Sequence, residues 1–413
     1  SALMGDRHVG HRSSDGRHSL PKMVLSRRAS FWVSLAVSMH TLWTSAAPAL
    51  SYRLYAEEWQ LSPLQTTSVF AIYPIFVVGT LVFLGDLSDH VGRRRTMLAA
   101  LVFSLTGALA LAWALDIEWL LTARAVMGIG VGLASGASTA AILEFSPSGD
   151  PERAASATNM AQALGFATAL LLGGALIQYA PYPLRLDFVV LALVIATLIT
   201  AVWFLPRHVG SRKPWSLRMP HVPASIRKEF CVAAIGAATA FTSGAVLLSL
   251  GGQVAHDLVG SANELMNGAV LASFAVVSAA VTGVARKLPP RLAFFLGSIA
   301  AVLAVLFLWL ATNVHSLPAL LVSTSLAGIS YALLFLGALT LLNAVSPADG
   351  RGGVLSAFYL VGYLCMGFCA LALGLVARAS GLATAVAVAS VVLASLGGAT
   401  FLFAAMRFPT IVE

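Results

Sequence analysis

Residues 85–95, GDLSDHVGRRR, place a block of charge inside an apolar chain. Two aspartates and three arginines stand among them, whereas only 10% of the 413 residues are charged. Long apolar runs lie on both sides of the block. Charge concentrated between two such runs is typical of a loop at a membrane surface.

The composition excludes an ordinary soluble domain. Hydrophobic residues make up 58% of the chain, whereas a soluble domain is about 45–50% apolar and about 25% charged. Too few polar side chains are present to cover such a surface in water, so we expect an integral membrane protein.

Twelve apolar runs are long enough to cross the bilayer, which takes roughly 20 helical residues. Barrel strands would be about ten residues long with alternating polarity. We therefore predict an all-α integral membrane protein with twelve transmembrane helices in two six-helix halves. The predicted spans are 30–51, 64–84, 96–115, 119–142, 154–178, 186–205, 229–253, 264–285, 292–312, 317–342, 354–377 and 382–406.

Basic residues fall almost entirely on one side of these spans. With a cytoplasmic N-terminus, the exceptions among the 25 lysines and arginines are Arg53, Arg124, Arg185 and Arg378. Because basic loops stay cytoplasmic, we predict that both termini are cytoplasmic and that the chain is a multi-pass protein of the cell (inner, cytoplasmic) membrane. The net charge of +8 is then a topology signal, and we expect the lipid bilayer and no nucleic acid as partner.

A polar, proline-bearing segment divides the chain into two halves. The apolar run after Arg28 is interpreted as a retained first helix rather than a cleaved signal, because a long polar tail precedes it. The predicted divisions are a disordered cytoplasmic tail at 1–28, a first half at 29–206, a central cytoplasmic loop at 207–228, a second half at 229–407 and a tail at 408–413.

The two halves resemble each other in sequence. A shift of 200 residues superimposes Gly128 on Gly328 and the Ser146-Pro147 pair on Ser346-Pro347. Homologous halves of a transporter are related by an axis along the membrane normal, with the substrate site at their interface near the bilayer midplane. The repeat therefore predicts a central cavity and alternating access.

The charged loop carries a family resemblance. It resembles the signature loop of the major facilitator superfamily, Gly-x-Leu-Ala/Ser-Asp-Arg/Lys-x-Gly-Arg-Arg, and departs from it at His90. A second stretch, RAVMGIGVGLASG at 124–136, resembles the family's fourth helix, and the likeness to twelve-helix bacterial permeases covers 30–406. The matching loop residues are Gly85, Leu87, Ser88, Asp89, Gly92, Arg93 and Arg94.

The resemblance implies a conformational latch at this loop. Asp89 can accept from Arg93 or from the amino end of a facing helix, where the helix dipole favours an anion. Arg93 and Arg94 can reach Glu144, and Gly85 and Gly92 would let the helix ends approach closely. The alternative is an anchor of basic residues that only sets topology.

Two ionisable residues lie deep in predicted helices and are candidates for coupling. His40 can titrate near neutral pH and carry a proton, or it can be a neutral side chain bonded to a neighbouring helix. Arg124 can face the cavity or a partner helix, or it can extend its side chain outward to the surface.

Other polar side chains could line a substrate path or only pack between helices. Cys365 and Cys369 are one turn apart and Cys231 is remote, so no disulfide framework or metal site is predicted. We expect no cofactor, with the proton gradient as energy source, and a monomer. The path candidates are Trp43, Asn159, Gln162, Tyr331, Tyr359 and Tyr363.

These features favour a secondary active transporter for a small organic solute. The family resemblance favours proton-coupled efflux. The fifth helix leaves the direction of transport open, because GFATALLLGGALIQ lacks the proline common in exporters. Uptake of a small metabolite such as a sugar or organic acid is the alternative. Remote alternatives are a membrane-embedded enzyme, which we do not expect, and a non-transporting receptor.

The topology is tested by reporter tags at Ser211 and after Glu413. Both tags should be cytoplasmic, because the basic loops set the orientation. A tag on the far side of the membrane after Glu413 would contradict the twelve-span count.

Overall fold

The protein is described from a computed structural model that covers residues 24–85, 87–207, 220–347 and 351–407. Regular structure in these ranges is helical throughout. The helices are α1 Arg27–Ala46, α2 Ser51–Glu58, α3 Pro63–Leu84, α4 Leu87–Val91, α5 Arg93–Ala112, α6 Ile117–Phe145, α7 Pro151–Tyr179, α8 Leu186–Trp203, α9 Arg227–Gln253, α10 Glu264–Val284, α11 Pro290–Val314, α12 Leu317–Val345, α13 Arg351–Ser380 and α14 Leu382–Arg407.

The predicted fold class is confirmed. Twelve of these helices are long, and α2 and α4 are short. Within the described ranges, eleven helices are long and apolar enough to cross a membrane. The remaining long helix is α1, whose buried face carries polar side chains such as Ser34, Ser38 and Thr41.

The first predicted span, 30–51, was wrong at its far end. Helix α1 ends at Ala46, a 3₁₀ turn covers Ala47–Ala49, and α2 begins at Ser51. Pro48 explains the break, because proline lacks the amide hydrogen that a continuing helix needs and restricts the residue before it. The predicted tails and central loop lie largely outside the described residues, which exclude 1–23, 208–219 and 408–413.

The second half repeats the neighbours of the first. In the first half α6 packs against α1, α3 and α5, and in the second half α12 packs against α9, α10 and α11. The halves meet where α3 contacts α13 and where α7 contacts α10. This arrangement has the internal two-fold relation that the sequence repeat predicts.

Equivalent glycines make the same close helix crossing in each half. A side-chain carbon on Gly128 would lie 2.7 Å from the carbonyl oxygen of Tyr73 on α3. Gly328 faces the carbonyl oxygen of Phe274 on α10 in the same way. Small residues at helix crossings let backbones approach, which is how helices associate in lipid.

The two ends of the bundle differ in charge. We call the end that holds residues 93–95, 227–228 and 286–287 the basic end, and the other the opposite end. Several helices that begin at the opposite end have a side-chain N-cap, which satisfies backbone amides that lipid could not. The capping residues are Ser62 for α3, Asp116 for α6, Asn263 for α10 and Ser316 for α12.

The glycine crossings should be sensitive to a single methyl group. Gly128→Ala and Gly328→Ala should each lower the apparent melting temperature in detergent by a few degrees, because overpacking costs about 1–3 kcal/mol. Gly79→Ala is the matched control, since no atom lies within 4 Å of its added carbon. Equal melting of all three variants would contradict the assigned crossings.

Candidate functional site: a buried arginine and a tyrosine cluster between the halves

Arg124 is the most deeply buried cation of the first half. It lies on α6 with no exposed surface, and its guanidinium carbon is 4.1 Å from the ring centre of Tyr73 on α3. One amino group, Nη1, donates to the carbonyl oxygen of Thr44 at 3.3 Å. The side chain is thus directed inward, toward other helices, and does not reach the surface.

The contacts of the Arg124 guanidinium are with aromatic and backbone groups. Its Nε and Nη2 atoms meet no acceptor at strict hydrogen-bond geometry, the hydroxyl of the buried Tyr52 lies beside it, and no acidic side chain in the described ranges forms an ion pair with it. A desolvated cation–π contact contributes about 2 kcal/mol, which is less than the several kcal/mol that dehydrating the charge costs. The Tyr52 hydroxyl and the Tyr73 ring are thus the electron-rich groups that partly offset this cost.

Tyrosines of the second half form one aromatic cluster. Tyr331 and Phe335 of α12 stack with ring centres 5.7 Å apart. Phe241 of α9 joins them to Tyr363 of α13 at 5.1 Å, and Tyr359 lies 6.2 Å from Phe335. The structure thus brings together the three tyrosines that the sequence suggested as path residues.

The aromatic cluster reaches across the boundary between the halves. Phe274 of α10 lies 5.4 Å from Tyr331 and 5.9 Å from Phe166 of α7. Tyr363 lies near Tyr73, the ring that covers Arg124. The aromatic cluster and the Arg124–Tyr73 pair thus lie close to each other across the boundary.

The remaining path candidates do not join this cluster. Trp43 is buried on α1, and its indole nitrogen has no hydrogen-bond partner. On α7, Asn159 is exposed and Gln162 is half-buried. No side-chain hydrogen bond of the described residues links either amide to the tyrosines.

His40 is held between helices of the first half. Its Nδ1 lies 2.7 Å from the carbonyl oxygen of Val37, and its Nε2 lies 3.1 Å from the hydroxyl of Ser104 on α5. A carbonyl only accepts, so Nδ1 carries a hydrogen and Nε2 can accept from the serine. A neutral histidine can make both contacts, as in the second interpretation of the sequence, and the coupling role of His40 stays a prediction.

Glycine is required at one position of the charged loop. Gly92 joins α4 to α5 with φ of 100°, a conformation that side-chain-bearing residues rarely adopt. Gly85 ends α3, and Gly136 of α6 packs against its carbonyl oxygen. Both glycines of the pattern thus set how the loop turns from α3 into α5.

Arg93 and Arg94 of the loop bind to residues of the first half. Arg93 forms an ion pair with Glu144 and donates to the carbonyl oxygen of Ala140 at 2.9 Å. Arg94 donates to the carbonyl oxygen of Leu205 at 3.3 Å, and Asp89 is exposed, with its charge acting on Arg93. These contacts tie α5 to α6 and to the end of α8.

A buried ion pair joins the halves at the opposite end. Arg53 of α2 donates to Glu264 of α10 at 2.8 Å, with 11% and 6% of the two side chains exposed. Arg53 also pairs with the more exposed Glu57 on its own helix. Gln178 of α7 accepts from the backbone amide of Glu264 at 2.8 Å.

Sequence reasoning missed this ion pair, although it had a signal. Arg53 was one of the few arginines on the side where basic residues are rare, and Glu264 opened a predicted helix. An arginine that departs from the positive-inside pattern needs a local partner. What the sequence lacked was the pairing, because the two residues are 211 positions apart.

Metal binding has no support in the described ranges. No group of three or more His, Cys, Asp or Glu side chains there is arranged to hold a metal ion. Cys231, Cys365 and Cys369 are free thiols.

Comparison with known proteins identifies a family and several proteins that this chain resembles in sequence or in fold. Residues 32–370 match the Major Facilitator Superfamily. Over 66 residues the chain is 42% identical to the sugar transporter ERD6 of Arabidopsis thaliana. That match covers 16% of the chain and only 13% of the plant protein.

Solved structures share the fold over nearly the whole chain. A bacterial homolog of the human lysosomal transporter Spinster, inward-facing and unoccupied, gives a TM-score of 0.68 at 16% identity and covers 93% of this chain and 98% of its own. The nucleoside transporter NupG, solved as a point mutant, gives 0.74 at 13% identity over 92% and 100% of the two chains. The peptide transporter POT with sulfate gives 0.73 at 14% identity over 91% and 92%.

The Arg53–Glu264 ion pair should stabilise the conformation in which the halves are in contact at the opposite end. Glu264→Gln removes the acceptor charge and keeps the side-chain shape. A reporter cysteine at Thr67, a buried residue that Gly374 contacts across the boundary, should then label more than about tenfold faster, because breaking a buried pair costs about 3–5 kcal/mol.

Glu57→Gln is the matched control, because Glu57 pairs with the same arginine but is 58% exposed. An exposed pair contributes at most about 1 kcal/mol, so labelling should change no more than about fivefold. Equal effects of the two variants would show that the pairing of Glu264 with Arg53 does not stabilise this conformation.

Proposed function

The chain belongs to the Major Facilitator Superfamily, and we propose that it moves a small organic solute by alternating access, with the proton gradient as energy source. It is a multi-pass membrane protein with the transporter fold of this family. The observation that supports the proposal is a buried cation close to an aromatic cluster at the boundary between two halves that are joined at one end.

The contacts between the halves define one conformation of such a cycle. Gly174 packs against the backbone of α10 at Glu264, and Gly268 packs against the backbone of α7 at Leu170. With the Arg53–Glu264 pair, these contacts close the opposite end. We propose that the basic end is cytoplasmic, which makes this conformation closed toward the outside of the cell membrane.

The charged loop enters this proposal as a support for the first half. Its contacts hold the basic ends of α5, α6 and α8 together. The latch role of Asp89, Arg93, Arg94 and Glu144 requires a second set of contacts, to the other half, in the conformation that is closed at the basic end.

The solute that fits the site is neutral or anionic. Arg124 offers a positive charge and the donors of its guanidinium, and the tyrosines offer flat apolar faces and hydroxyls. A strictly cationic solute would be repelled by the guanidinium at low dielectric. Efflux by proton antiport is the favoured direction, and we propose that a monomer carries it out.

Uptake is the second candidate, and one observation favours it. The match to a plant sugar transporter, although short, points to a permease for a neutral, hydroxyl-rich solute. Aromatic rings stack on the apolar faces of such solutes, and tyrosine hydroxyls can bond to their polar edges.

Transport of a compound panel into everted vesicles tests the function and its direction. Sugars, organic acids and neutral drugs should be compared with and without an imposed proton gradient. Compound-dependent proton release from acidified vesicles marks antiport. Gradient-dependent accumulation in right-side-out vesicles marks uptake, and gradient-independent movement of every compound would overturn proton coupling.

Arg124 should matter more for transport than for folding. Arg124→Lys keeps the charge but loses the planar fork of donors, so transport should fall by about tenfold or more, the effect of losing one hydrogen bond to a charged group. Membrane expression should stay within about twofold. The control is Arg185→Lys at the exposed opposite end, and equal transport by both variants would exclude Arg124 from the solute site.

A further inference from the structure

Asp187 is a buried carboxyl group without a hydrogen-bonding or ionic partner among the described residues. It is the second residue of α8 and has no exposed surface. Both carboxyl oxygens are buried without a hydrogen-bond partner.

The groups around Asp187 provide no cation or donor for it. Oδ2 lies 3.2 Å from where a side-chain carbon of Gly173 on α7 would be. Tyr55 of α2 lies near Asp187, but its hydroxyl is directed at the carbonyl oxygens of Leu111 and Leu184. Arg185 is exposed.

Of the described neighbouring helices, α2 carries charges at this end: Arg53 is paired with Glu264 and Glu57, and Glu58 is exposed. Helices α1, α5 and α7 have their charged residues at the basic end. His40 of α1 is bonded to Val37 and Ser104, deeper in the bundle. The amino end of α8 favours an anion, but this effect is smaller than the cost of dehydrating a carboxylate that has no bonding partner. In this conformation Asp187 is therefore a neutral acid.

The surroundings of Asp187 are also the parts that close the opposite end. Gly173 contacts its carboxyl group, and the next residue, Gly174, contacts α10 at Glu264. Tyr55 lies on the same short helix as Arg53, which pairs with Glu264. Separation of α2 and α7 from α10 would loosen both walls around the acid and admit water.

We propose that Asp187 is a proton-binding site of the transport cycle, loaded from the opposite side and closed off when that end closes. The proton comes from water on the opposite side and binds a carboxylate oxygen, which removes the charge that would oppose burial. Protonation is then a condition for closure. This inference rests on the proposed proton coupling, and it assigns the coupling group to Asp187 in place of His40.

Reporter labelling in lipid nanodiscs tests the proposal without a substrate. The full chain, with its three cysteines replaced, carries a Thr67→Cys reporter inside the closed boundary. A Tyr179→Cys reference, at a residue with 70% exposure, corrects for the reactivity of the thiol itself. Maleimide labelling is measured between about pH 5 and about pH 9, where carboxyl groups and histidines titrate.

The corrected labelling rate should rise with pH, by up to about tenfold per unit for one proton, because ionised Asp187 opposes closure. Asp187→Asn mimics the protonated acid, so its rate should be low and independent of pH. Asp187→Glu keeps a titrating group and should restore the dependence. Asp257→Asn and His256→Gln change an exposed pair at the same end and should behave like the parent.

The results separate this inference from the proposed function. Three results would overturn the role of Asp187. They are a labelling rate of the parent chain that does not depend on pH, a pH dependence that persists in Asp187→Asn, and a pH dependence that is lost in His40→Gln. Failure of Asp187→Glu to restore the pH dependence would overturn that role as well. If the labelling pattern holds while vesicle transport is independent of the gradient, the proton site stands and proton-coupled transport fails.

Discussion

Close approach of helix backbones at glycine is the constraint on which this structure depends. In lipid, helices gain little from burying apolar surface against one another, so association relies on packing and polar contacts. Gly128 and Gly328 make the same crossing inside each half, and Gly174 and Gly268 make the crossings between halves. A larger side chain at any of these positions would separate two backbones.

The few charges inside the bundle follow from the cost of dehydration. A charged side chain at the bilayer centre costs about 2.5–3.5 kcal/mol even on insertion scales. Arg124 offsets this with an aromatic face and a carbonyl oxygen, and Arg53 with Glu264. The proton proposed on Asp187 is a third solution, since a neutral acid avoids the cost. The second solution lies where the halves meet, and Gly173 beside Asp187 adjoins Gly174, which contacts α10 there.

The signature loop shows where sequence patterns succeed and where they stop. The pattern identified the family, and Gly92 has the positive φ that only glycine adopts readily. The proximity of Arg93 and Glu144 followed from their shared place at one end of the bundle. Asp89 is exposed, and the partners of Arg94 are a backbone carbonyl and the ring of Trp203. Residue identity limits what a side chain can bind, whereas backbone geometry selects the partner.

The sequence by itself determined the class of protein, the number of long helices and the family. Apolar run length and basic-residue asymmetry are local properties of the chain, so they can be counted without knowing what touches what. Only the tertiary structure decided that Arg53 meets Glu264, that His40 is bonded on both sides and that Asp187 is enclosed. Those facts depend on which helix faces approach each other, and that is set by packing between residues far apart in the chain.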